Sequence, residues 1–404
     1  MAAFDVAIIG AGAAGIAAGR QLQAAGRRII LLEARHRVGG RAFTGQLHGV
    51  PADLGAGWLH FAEENAWTSL AEAGGFTLVK RDPGWGPGAC IGPHVPTAAE
   101  QAAAIAHDRH YNALVAAAAQ AGRDVPLSQV LPQDAWRPRF DAVMTWTVGV
   151  ETPSVSTIDL DNYAESRANW TVREGLGEVV AAAARELPVQ HARVTRIDWS
   201  GATLQIDSSA GRIGARAAIV TVPTALLARD AILFHPHLPA AHAEAIANLP
   251  LGVCNKVFFR LREAGIATEL PRHFLGSTST SRTCSWSVNS SDHPLLMAYF
   301  GGDLSWELEQ EGGLEAFARD EFTRLFGTDA LSELGPALAS AWGSDPLSLG
   351  SYSAARPGHA SARTLLAAPV SPQLHFAGEA CAVNHYGTLH GAWLSGVAAA
   401  RRLL

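Results

Sequence analysis

The run from Val6 to Leu32 constrains this chain more than any other part of it. Val6-Ala-Ile-Ile9 is followed by Gly10-Ala-Gly12-Ala-Ala14-Gly15, an Ala-rich stretch to about Ala25, Gly26, and then Arg28-Ile-Ile-Leu-Leu32. The two apolar runs read as strands buried on both faces. The stretch between them reads as a helix that Gly26 ends. This is a complete βαβ unit. Gly10 permits a tight turn, Gly12 lets backbone approach a pyrophosphate, and Gly15 lets the helix pack closely on the strand. The helix N-terminus offers unpaired N–H groups to the phosphates. Glu33, at the end of the second strand, stands where a carboxylate accepts hydrogen bonds from ribose hydroxyls.

The next segments exceed what a plain nicotinamide-binding domain needs. Glu33-Ala34-Arg35 leads to Gly39-Gly40-Arg41, where the glycine pair frees the backbone to pass close to a ligand. Arg35 and Arg41 are expected to bring fixed positive charge to the same pyrophosphate. Asp53-Leu-Gly55-Ala56-Gly57-Trp58-Leu-His60 adds two more close-approach glycines.

Composition excludes other classes. With 48% apolar and 17% charged residues the chain is globular, and a net charge of −6 argues against a nucleic-acid partner. No uncharged apolar run is long enough to span a membrane. Cys90, Cys254, Cys284 and Cys381 are scattered without a CxxC pair, so neither a metal site nor a disulfide scaffold is expected. Together with a first strand that starts almost at once, this predicts a cytoplasmic protein.

Taken together, Leu32 to Arg41, Asp53 to His60, Leu251-Gly-Val-Cys-Asn-Lys256-Val, His375-Phe-Ala-Gly378-Glu379 and Gly387-Thr388-Leu389-His-Gly-Ala392 resemble the flavin-containing amine oxidases. That family includes polyamine oxidases, monoamine oxidases and lysine-specific histone demethylases, and the motifs are most similar to those of polyamine oxidases. The resemblance implies an α/β fold: a Rossmann-like FAD-binding domain of the GR2 type, interleaved with an α+β substrate-binding domain carrying a mixed sheet. The expected division gives residues 1–75, 188–245 and 340–404 to FAD, and 76–187 and 246–339 to substrate. Within these, Thr97 to Ala121 reads as a helix opened by the capping box Thr97/Glu100, Leu176 to Glu186 as a further helix, and Val194–Trp199 with Ala202–Ile206 as a hairpin.

Roles for single residues come from the same resemblance. Lys256 is implied to sit over flavin N5 and hold a water; taken alone, without the motif around it, the residue reads as a solvated strand lysine. Glu379 is implied to bind the ribityl chain, Val194 to meet the adenine, and the N-terminus at Thr388-Leu389 to face the flavin pyrimidine. Tyr352 is implied to wall the substrate path. Trp342 is either a neighbour of the flavin ring or a core aromatic. His60 is either structural or a contact to the substrate chain. Ser351 stands where covalent monoamine oxidases have cysteine, and Thr388 where they have a second tyrosine. The resemblance therefore implies non-covalent FAD. The expected reaction is oxidation of a C–N bond in a polyamine or related small amine, by hydride transfer to flavin N5, with imine hydrolysis to an aldehyde and O2 reduced to H2O2. Monoamine or L-amino-acid oxidation and a non-amine desaturation remain the alternatives on this scaffold. An amino-acid oxidase needs an arginine for the carboxylate, and none stands out in the substrate segments.

Overall fold

The computed structural model describes residues 3–166, 168–262 and 270–404. Its first sheet has a parallel core in the order Val189–His191, Ile29–Glu33, Phe4–Ile9, Gly211–Val220, Leu374–Phe376. Register pairs Val6 with Ile29 and Ile9 with Val220. All five residues of Ile29–Glu33 are buried, the continuous pattern of a strand covered on both faces. Gly211–Val220 outruns this core. Its first half turns to antiparallel pairing with Leu204–Ser208, which pairs in turn with Val194–Asp198. The hairpin read from sequence is thus an extension of the first sheet.

Helix Ala13–Ala24 begins at Gly12 and ends before Gly26, which has φ +75°. Helix Leu389–Arg401 packs against it, and the crossing is tight: a β-carbon on Gly396 would lie 2.2 Å from the Ala14 carbonyl oxygen. Thr388 is the N-cap of this last helix.

The second sheet runs Leu334–Ala339, Cys254–Leu261, Leu295–Gly301, Ser285–Val288, His273–Leu275, Cys90–Ile91. Phe259, Phe274, Trp286, Phe300 and Phe322 form its core, beneath helices Gly302–Glu311 and Leu314–Phe326. In Cys254–Leu261 only Arg260 is not fully buried. Val257 and Phe259 face that core, while Lys256 and Phe258 point the other way, toward the first sheet's loops. Helix Ala98–Gln120 carries the full capping box between Thr97 and Glu100. The helix expected over Leu176–Glu186 ends at Ala183, and the chain leaves it through tighter turns in which the Arg185 N–H reaches the Ala182 carbonyl and the Leu187 N–H the Ala184 carbonyl. Among the described residues no helix is long and apolar enough to cross a membrane.

Candidate active site

One cavity of about 850 Å³ runs along the seam between the two sheets. Every candidate residue except Gly15 lines it. Gly15 acts one layer back: a β-carbon there would sit 2.0 Å from the Gly10 carbonyl oxygen, so only glycine lets the helix start this close to the turn.

At one end lie Gly10, Gly12, Ala14, Glu33, Ala34, Gly39, Gly40 and Val194. No side chain caps the first turn of helix Ala13–Ala24, so its N–H groups are open toward the cavity. The buried Glu33 carboxylate accepts from the N–H groups of Ala11 and Arg35, both at 2.8 Å, which fixes its orientation at the cavity wall. The arginines are arranged differently from the sequence expectation. Arg35 forks onto Asp345 at 2.7 and 2.9 Å, and Arg41 donates to Glu379 at 3.1 Å and to the Ser351 carbonyl at 2.6 Å. Each cation already has a carboxylate, so the open backbone N–H groups are the larger uncompensated positive feature here. Those N–H groups, the open space at Gly378 (φ +149°) and the acceptor Glu33 fit a dinucleotide such as FAD.

Lys256 marks the middle of the cavity. Its Nζ donates to the carbonyls of Asp53 at 2.8 Å and Gly55 at 2.6 Å. A β-carbon on Gly57 would come within 3.2 Å of Nζ, so glycine keeps the approach open. The residue is 8% exposed. Burial pushes its ammonium down to about 8, against the opposing charge of Asp53. Asp53 is raised by burial, although the N–H groups of Leu176 and Gly177 and the Thr44 hydroxyl hold its carboxylate. Trp342 fixes the same loop from the other side, donating Nε1 to the Leu54 carbonyl at 2.8 Å. Its own N–H is held by Asn255 Oδ1 at 3.0 Å, from the strand that carries Lys256.

Glu379 anchors the wall opposite. Burial alone would raise its carboxyl. Arg41 and Arg363, with the donors Ser353 and Gly387, hold it below its ordinary value instead. Arg363 is fully buried and forks onto Asp159 at 2.6 and 2.8 Å, so a chain of buried charges backs this wall. Ser351 accepts from the Cys254 N–H and donates to its carbonyl, locking the adjacent backbone. Thr388 Oγ1 caps the last helix by accepting from Gly391 at 2.9 Å, with Leu389 beside it.

Another part of the cavity wall is aromatic. The Tyr352 hydroxyl bonds the Trp146 carbonyl at 2.9 Å and meets the Tyr299 hydroxyl. Burial holds both phenols well above their ordinary value, so they stay neutral. Tyr299 escaped the sequence reading. It lies directly opposite Lys256 in the antiparallel pair, a register that no local motif reports. His60 Nδ1 meets Asn169 Oδ1 at 2.7 Å, and burial lowers its pKa, keeping the ring neutral near pH 7. Trp58 and Trp85 meet edge to face at 4.5 Å beside it. Asp108, Arg139 and Trp146 also line the cavity and carried no sequence signal.

A family model described as flavin containing amine oxidoreductase matches residues 13–87 and 129–404. Polyamine oxidase 4 of Oryza sativa subsp. japonica is 30% identical over 437 residues, covering 98% of this chain and 88% of that protein. Polyamine oxidase 2 of Arabidopsis thaliana is 29% identical over 439 residues, covering 98% and 87%. A solved structure of putrescine oxidase bound to putrescine shares the fold, with a TM-score of 0.82 at 22% identity over 98% of both chains. The match to the family model over most of the chain makes this chain a member of the flavin-containing amine oxidoreductases.

Proposed function

We propose that the protein is an FAD-dependent amine oxidase acting on a polyamine or related small amine, with its FAD held non-covalently. Residues 1–75, 188–245 and 340–404 form the cofactor half, and 76–187 and 246–339 the substrate half. The observation that carries the reading is Lys256: a desolvated ammonium tied to the Asp53 and Gly55 carbonyls, midway between the phosphate-side turn and an aromatic-walled cavity. Bound FAD would supply a two-electron acceptor for hydride from the carbon beside the nitrogen, with O2 as the final acceptor and H2O2 as its product.

The chain's own residues do the rest. Tyr352, Tyr299 and Trp146 exclude water and offer π faces to an incoming cation. The reacting nitrogen must be neutral to expel hydride. For an alkylamine with a pKa of about 10, that costs about 4 kcal/mol at pH 7. Walls of neutral aromatic groups disfavour the ammonium and offset part of this cost. Lys256, with a depressed pKa, holds a proton or gives it up close to neutral pH at the flavin side. His60 lines the same cavity, in position to contact the substrate chain.

A panel of mono-, di- and polyamines tests this, with peroxide release and the aldehyde product measured together. Stoichiometric peroxide and aldehyde from at least one amine is the expected result. Peroxide without aldehyde, or no reaction with any amine, contradicts it.

A further inference from the structure

Away from Lys256 the cavity wall carries a half-buried anion and a half-buried cation that do not neutralise each other. Asp108 stands on helix Ala98–Gln120 and Arg139 on helix Arg137–Val148, and both line the cavity. Among the described residues Arg139 has no carboxylate oxygen within 4.0 Å. Its Nη2 donates to the Gly86 carbonyl at 3.4 Å and to the Pro87 carbonyl, leaving Nε and Nη1 without a protein partner. Asp108 receives only a long bond from Asn112 at 3.4 Å. Burial raises the Asp108 carboxyl and lowers the Arg139 guanidinium, and each charge opposes the shift in the other. They are close enough to interact and too far apart to pair. Asp82 and Glu165 also line the cavity, but both are exposed to solvent. Asp82 is taken up by the Gly84 N–H at 2.8 Å.

Two half-buried charges of opposite sign, held apart across one cavity, complement a ligand that brings both signs to the gap. A bare polyamine satisfies Asp108 and leaves the guanidinium facing a like charge. A fatty amine satisfies neither. The neighbouring surfaces suit a methylene chain: Phe140 and Val143 follow Arg139 along the same helix face, which ends at Trp146 beside Tyr352. Trp146 Nε1 is buried there without a partner. From 139 to 146 the helix advances about 10 Å, which leaves room for a short alkyl chain between the reacting amine and the charged end.

We infer that Asp108 and Arg139 form a subsite for a zwitterionic α-amino-acid end, so that the substrate is a diamino acid oxidised at its side-chain amine. The inference rests on the amine-oxidase reading and narrows its substrate. The side-chain carbon loses hydride and its nitrogen a proton, giving an imine. Water then releases ammonia and leaves an aldehyde. O2 takes up the two electrons and two protons as H2O2, so amine, O2 and water give aldehyde, ammonia and peroxide. The α-ammonium faces Asp108 and the carboxylate takes the free Arg139 donors.

Four probes dissect this at one length: L-lysine, cadaverine (which lacks the carboxylate), 6-aminohexanoate (which lacks the α-ammonium) and pentylamine (which lacks both). In the wild-type holoenzyme L-lysine is expected to lead each single deletion by about tenfold in kcat/KM, chiefly through KM, and pentylamine by more. Arg139→Gln should erase the lysine advantage over cadaverine, and Asp108→Asn that over 6-aminohexanoate. The lysine product should be the side-chain aldehyde. Cadaverine equal to or better than lysine in the wild type overturns the inference, as does a lysine preference unmoved by both substitutions or oxidation at the α-carbon. Turnover of spermidine with no advantage for lysine overturns the subsite and leaves the amine-oxidase reading standing; no flavin reduction by any amine overturns both. The wild-type ranking decides even if Arg139→Gln, which loses the bonds to residues 86 and 87, does not fold.

Discussion

Lys256 and Tyr299 stand opposite each other across the antiparallel strands Cys254–Leu261 and Leu295–Gly301. The lysine reaches the Asp53 and Gly55 carbonyls, and the tyrosine reaches the Tyr352 hydroxyl. One rung of the second sheet thus joins the Asp53–Gly55 loop to the aromatic wall. Because the strand is covered on both faces, Lys256 has little freedom to swing away.

Replacing Lys256 by Met keeps the length of the side chain and removes the charge. The ammonium titrates at about 8, below its ordinary 10.5. Folding is therefore penalised while the side chain is protonated, below about pH 8, and the penalty fades as pH rises toward 10.5. The stability of Lys256→Met relative to wild type should fall by about 3 kcal/mol between pH 7 and pH 10.5, followed by denaturant unfolding. Reoxidation of the reduced enzyme by O2 should slow by about a hundredfold or more in stopped flow.

The pH profile of turnover should rise with pH. A neutral amine is required, and His60 is already neutral because burial lowers its pKa. The kcat/KM for a simple amine should climb from pH 6 toward the amine pKa, with a second inflection near pH 8 that Lys256→Met removes. A flat profile with chemistry rate-limiting contradicts this.

Glu379→Gln should weaken FAD binding by about tenfold and destabilise the fold by about 2–4 kcal/mol near neutral pH, because Arg41 and Arg363 lose the carboxylate between them. The wild-type carboxyl is held below its ordinary 4.5. Its contribution is present above that pH and is lost as pH falls through the depressed value. Thermal unfolding of wild type and Glu379→Gln should therefore converge in acid.

The glycine-led parts of the site were legible because their requirement is local: a turn, a close backbone approach or a helix start needs glycine wherever the rest of the chain goes. The βαβ unit, the loop from Asp53 to His60 and the turn into the last helix all read out this way. The partners of Arg35 and Arg41 did not, because Asp345 and Glu379 lie 310 and 338 residues further on. Tyr299 was hidden for a related reason, since its place opposite Lys256 depends on strand register. Asp108, Arg139 and Trp146 sit on helices whose sequences show little amphipathic pattern and nothing of which face meets the cavity.

Gly15→Ala probes the one candidate residue that does not touch the cavity. Its methyl would meet the Gly10 carbonyl, so the phosphate-side turn must shift. A loss of about 1–3 kcal/mol in unfolding free energy is expected, together with weaker FAD retention on gel filtration. Unchanged retention would mean that the turn does not hold the cofactor.

Anaerobic titration of the purified protein with amine, followed by the visible absorbance of its flavin, tests the central claim most directly. The protein should be yellow without covalent attachment, the flavin band should bleach on adding amine without any nicotinamide, and the colour should return with O2. A protein that remains colourless after incubation with FAD, or a flavin band that no amine bleaches, contradicts the account.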